Sequence, residues 1–240
     1  YQEAEEAYKK ALALDKNNKS AMMALGKVMQ AVNHGTEALQ SFTDAAVLDP
    51  SDPTPLYYAG MVYMGMNKYE AAYTQFVRAI NANPRFPRIY FWAGQALLKK
   101  IPPEADEALA MANKEKTFNP DLPDGYILSA EANYVKKQYP ACAADLQRAV
   151  AKGAQDSMTS VKMARCFRLS GNVDAALTFL RQAKLRESGN PDIYKELGDV
   201  FKTKGQYQEA IAAYEQYLIL VPNAPDRTVI QNTIGEIRSR

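Results

Sequence analysis

Five large apolar side chains, Tyr57, Met61, Met64, Phe91 and Leu98, fall where two helices should meet water. In the first helix Leu56, Ala59, Gly60 and Tyr63 recur at i, i+3, i+4 and i+7 and mark a buried stripe. At about 100° per residue the opposite side then carries Thr54, Tyr57, Met61 and Met64. The same phase of later helices carries Arg88, Phe91, Gln95 and Leu98, then Asp124, Ile127, Glu131 and Tyr134, then Met158, Val161, Arg165 and Arg168. A solvated helix is polar on that side, so the early members are out of place. Together they would form an apolar floor, with Met supplying adaptability and the aromatics contact area. The chemistry implied is docking, unless the chain's own curvature covers the floor. Replacing Tyr57 and Phe91 together by Ala is then expected to weaken a partner and leave unfolding nearly unchanged. Arg88, Gln95, Glu131, Arg165 and Arg168 would set register, with Tyr134 beside them. Arg165 and Arg168, near Lys162, carry the planar forks that pair with carboxylates, although an ordinary charged surface reads the same way. The last such stripe, Asp192, Lys195, Asp199 and Lys202, is expected to be a solvated face of i, i+3 and i+4 pairs.

Catalytic residue sets are missing. His34 is the sole histidine, sits at a turn, and has no nucleophile assignable to it. Neither a phosphate-cradling glycine pattern nor metal-type Cys/His spacing occurs, so no cofactor, no metal and no enzyme activity are expected. Cys142 and Cys166 are expected to be buried free thiols, with a disulfide as the alternative. Asn18–Lys19–Ser20 matches a glycosylation acceptor, which matters only in a secreted eukaryotic chain. The net charge of +2 argues against nucleic acid, and no run reaches the apolar length of a membrane span. Compartment stays open between the cytoplasm and a bacterial periplasm or envelope.

The elements that position these residues repeat every 34 residues, with Pro53 to Phe86 as the template. Small residues recur at its eighth position (Gly26, Gly60, Gly94, Ala130, Ala164, Gly198) and twentieth (Ala38, Ala72, Ala108, Cys142, Ala176, Ala210). A large one usually holds the twenty-fourth: Phe42, Phe76, Leu146, Leu180, Tyr214. Small residues let antiparallel helices approach while large ones fill the gaps. Pro50, Pro84, Pro120 and Pro222 close four units. The pattern resembles the tetratricopeptide repeat. That resemblance implies an all-α, right-handed α-solenoid of antiparallel helix pairs, whose inner, concave surface takes a partner protein. It also implies a scaffold that binds a peptide, helix or small domain; the apolar floor would call for exposed apolar side chains on that partner, and Arg165 and Arg168, if not an ordinary charged surface, for acidic groups. The places where some family members hold a terminal carboxylate carry Met23, Lys27, Tyr58, Arg88 and Trp92, so a chaperone-type acidic tail is not expected.

Six repeats are expected at 19–52, 53–86, 87–122, 123–156, 157–190 and 191–224. Residues 1–18 read as a lone second helix, and 225–240 as a capping helix with Val229, Ile230, Ile234 and Ile237 in one stripe. An uncovered edge at Ala7, Tyr8 and Leu12 points to further repeats upstream in a longer parent, or to self-association. A homo-oligomerisation module and a regulatory segment of a larger enzyme are the rival functions. The third repeat departs most: Ala112 stands where Phe is usual and Glu115 where Ala is usual, so loose packing is expected there. Its extra length lies at Ile101–Pro102–Pro103, which should stop the first helix.

Overall fold

The computed structural model describes residues 1–239. Every regular element among them is a helix: α1 (Gln2–Leu14), α2 (Lys19–Ala31), α3 (Gly35–Leu48), α4 (Pro53–Gly65), α5 (Tyr69–Ala82), α6 (Ile89–Lys99), α7 (Ala105–Phe118), α8 (Asp124–Val135), α9 (Tyr139–Ala151), α10 (Ser157–Leu169), α11 (Val173–Arg186), α12 (Pro191–Thr203), α13 (Tyr207–Leu220) and α14 (Arg227–Arg238). Local chemistry sets several starts. Asn18, Asp52, Asp156 and Asn190 accept backbone N–H bonds at the N-termini of α2, α4, α10 and α12, and Pro53 and Pro191 open two of those helices. α6 ends at Lys99, ahead of the consecutive prolines.

The chain forms two compact units, Tyr1–Ala132 and Asn133–Arg240, with the boundary inside α8. In the first unit α2 packs on α3, α4 on α5 and α6 on α7. The small-against-large rule takes physical form at the glycines. A Cβ added at Gly26 would lie 2.6 Å from the Phe42 ring, and one at Gly60 would collide with Phe76. The third repeat solves the same problem differently. Ala112 leaves the usual aromatic slot short, and Gly94 receives the Leu128 side chain from α8 instead.

Glu115 corrects an expectation of loose packing. It is completely buried, and it accepts hydrogen bonds from Phe91 N (3.2 Å) and Asn119 Nδ2 (2.8 Å). Phe91 is the third residue of α6, whose N-cap, Arg88, has φ 61° and makes no side-chain cap bond. Glu115 therefore reaches from α7 to satisfy an orphan donor that α6 cannot cap by itself. Such a bond also explains why a carboxylate is tolerated in the core.

In the second unit α10 packs on α11 and α12 on α13, and Tyr214 fills the space above Gly198. Asn133, which replaces an expected aromatic, donates to Asp145 Oδ2 at 2.9 Å within the interior. Ile230, Ile234 and Ile237 of α14 are buried, while Val229 is exposed and does not belong to that stripe. Cys142 of α9 and Cys166 of α10 form a disulfide, against the expectation of free thiols. Burial was the right inference for both side chains, but it says nothing of adjacency. Packing of α9 on α10 brings their Cα atoms to 6.0 Å, within bridging range.

Candidate functional site

The first unit gathers eight of the sequence-predicted partner-binding residues on α4, α6 and α8 and at the N-cap of α6: Tyr57, Met61, Met64, Arg88, Phe91, Gln95, Leu98 and Glu131. Tyr57 is half-buried, with its ring centroid 5.3 Å from Phe86, 5.4 Å from Tyr58 and 6.2 Å from Phe76. Burial pushes its hydroxyl pKa up, and the nearby Arg88 charge opposes that. Met61 and Met64 are also half-buried, against the same cluster as Phe86 and Trp92. These three side chains and Leu98 keep part of their surface in solvent while their undersides are held by the core.

Phe91 departs from the expectation. It is only 9% exposed and packs with Ala112 and Leu128, with Trp92, Leu98, Met111 and Ile127 around it. Its ring belongs to the core, so replacing Tyr57 and Phe91 together would remove stability as well as surface. The reason is the short Ala112 opposite, which leaves room for Phe91 to turn inward.

Charged and polar members of the set are already paired. Arg88 Nε and Nη2 donate to Asp124 Oδ1 at 2.8 and 2.6 Å, and the guanidinium lies 5.3 Å from the Phe91 ring centroid and 5.9 Å from that of Trp92. Gln95 Nε2 donates to Glu131 in a short bond. Trp92, which the sequence leaves between a rim contact and packing between repeats, packs in this cluster, as does Phe86, which sequence phase did not single out. Trp92 Nε1 is shielded from water, near the Tyr57 hydroxyl, but closes no hydrogen bond of normal geometry.

Tyr134, Arg165 and Arg168 lie in the second unit. Tyr134 is exposed and meets Tyr139 edge-on at 5.8 Å. Arg165 and Arg168 do not present free forks. Both donate to the fully buried Glu196, each at 2.8 Å, and Arg168 also reaches Asp199 at 3.3 Å. Burial works against the Arg165 charge, but Glu196 outweighs it and holds the pKa above the ordinary value. Tyr214 donates to Asp199 at 2.7 Å, and burial first, then Asp199, raise its pKa strongly. Lys195 pairs with Asp226 at 2.6 Å. The stripe expected to be solvated i, i+4 pairs thus includes bonds between helices. Acids on α12 answer both forks of α10, and the phase of α10 alone hides that pairing.

Among the described residues no group of acidic, His or Cys side chains could hold a metal, and no helix is long and apolar enough to cross a membrane. His34 is exposed, just before α3.

A family profile described as "Tetratricopeptide repeat-like domain" matches residues 94–238, and one described as "TPR repeat" matches residues 60–100. Among solved structures the chain is similar to a tetratricopeptide repeat protein from Parabacteroides merdae, with 15% identity, TM-score 0.71, and coverage of 98% of this chain and 91% of that one. It is similar to PilW, a type IV pilus biogenesis factor, with 18% identity, TM-score 0.77, and coverage of 89% and 98%. A chain of the APC/C hetero-tetramer Cut9–Hcn1 shows 14% identity and TM-score 0.77 over 98% of this chain and 45% of that one. No curated protein sequence matches the chain.

Proposed function

The chain belongs to the tetratricopeptide repeat family, and on that premise we propose that it is a protein-binding scaffold whose α4–α6 face takes a peptide, helix or small domain of another protein. The observation that carries this is the half-burial of Tyr57, Met61, Met64 and Leu98 on one face of the first unit. Large apolar side chains held rigid from below and wet above form a pre-ordered contact surface, which spends little ordering entropy on its own side. Family likeness supports the same direction, since one of the structural relatives is itself a chain of a hetero-tetramer. Repeats are assigned at 19–52, 53–86, 87–122, 123–156, 157–190 and 191–224.

Photo-crosslinking tests the surface directly. A benzophenone amino acid placed at Met61 or Leu98 is expected to trap a partner, and the same group at the exposed Thr43 of α3 is not. Trapping from Thr43 with none from Met61 or Leu98 would refute the assignment.

A further inference from the structure

Resting on that reading of the α4–α6 face, we infer the chemistry of its occupant: an apolar peptide segment of another protein that brings no net charge to the surface. Charge complementarity carries the inference. The Arg88 charge acts on Tyr57 and lies over Trp92, yet two of its donors are committed to Asp124 and its plane lies over two rings. Gln95 is committed to Glu131. Lys27 of α2 is drawn over the Tyr58 ring, 4.5 Å from its centroid. An acidic partner would therefore have to break Arg88 away from Asp124 or bury its carboxylates against Tyr57 and Met61. Burying a charge without a partner is unfavourable, whereas apolar side chains meet a matching surface. A basic partner meets the same difficulty, because Asp124 already holds Arg88.

The molecule supplies its own reporter, since Trp92 is the only tryptophan and it packs in the cluster with Tyr57, Met61 and Met64. The probes are three acetylated, amidated synthetic peptides of equal length sharing one Leu/Phe pattern, with Gln, Glu or Lys at the remaining positions. Trp92 fluorescence is followed during titration of the intact chain at low and high salt. The Gln peptide is expected to change the emission, to bind at least about tenfold more tightly than either charged peptide, and to be insensitive to salt, as contacts without charge are. Met61→Lys should then narrow or reverse the gap in favour of the Glu peptide, with circular dichroism confirming that the variant folds.

A Glu peptide that binds wild type best, and loses affinity with salt, would overturn the inference and leave the docking face standing. A Trp92 change that follows protein concentration alone would overturn it in favour of a second copy as occupant. No change with any peptide or concentration would overturn the docking face itself and the inference with it.

Discussion

Removing the Glu115 carboxylate should loosen the N-terminus of α6, the helix that follows Arg88 and carries Phe91 and Trp92. Glu115→Ala deprives the buried Phe91 N–H of its acceptor, a loss of about 1–3 kcal/mol. The emptied volume adds about 1 kcal/mol. Asn119 is only partly buried and recovers water, so it adds little. Against this stands relief from burying a charge. Burial raises the Glu115 pKa, while the bonds from Phe91 and Asn119 pull it down by less. That relief offsets part of the loss, and the net cost near neutrality is about 2 kcal/mol. Glu115→Gln keeps an oxygen for Phe91, and an amide flip at Asn119 restores the second bond, so its cost should stay within about 1 kcal/mol.

The pH dependence has a definite sign. The folded chain keeps this proton at pH values where the unfolded chain has lost it. The contribution is full below the ordinary carboxylate value and is lost as pH rises through the raised folded value. Wild type should therefore gain on Glu115→Gln as pH falls across that window. Urea denaturation followed by circular dichroism across a pH series measures both effects, and Trp92 emission reports the α6 terminus. A loss under about 0.5 kcal/mol for Glu115→Ala, or wild-type and Gln curves that stay parallel with pH, would refute the capping role.

Gly60→Ala should destabilise by about 1–3 kcal/mol in urea, because the new methyl collides with the buried Phe76 ring; an unchanged midpoint would show that the ring yields freely. Glu196→Gln should lose about 3 kcal/mol, since it removes the charge that pairs with Arg165 and Arg168. Denatured, unreduced protein should take up no alkylating reagent at Cys142 or Cys166, and two adducts after reduction, as read by mass spectrometry. Reduction should also lower stability by about 3 kcal/mol, because the bridge closes a loop with a sequence separation of 24 residues.

Periodicity carried most of the fold, for a plain reason. Small and large residues at fixed phase decide which helices can touch, and Gly26 with Phe42, Gly60 with Phe76 and Gly198 with Tyr214 realise that code. Where the code is broken, the repair comes from another helix. Leu128 from α8 serves Gly94, and Glu115 from α7 serves Phe91, and neither follows from a single-helix pattern. The candidate surface was legible in Tyr57, Met61, Met64 and Leu98, whose phase is that of half-buried residues. Phe91 shares their phase but turns inward because Ala112 makes room. Arg165 and Arg168 looked available because their acids, Glu196 and Asp199, are about thirty residues away along the chain. The cysteines hid their pairing for the same reason, since contact across two helices is invisible to spacing along one.

Calorimetric titration of the photo-trapped partner segment against wild type and Met61→Glu/Met64→Glu tests the docking face most directly. Two carboxylates placed on a half-exposed surface should weaken binding at least about tenfold, with the urea midpoint little changed. Equal affinity for the two proteins would contradict the account, as would a collapse in stability that marked Met61 and Met64 as core.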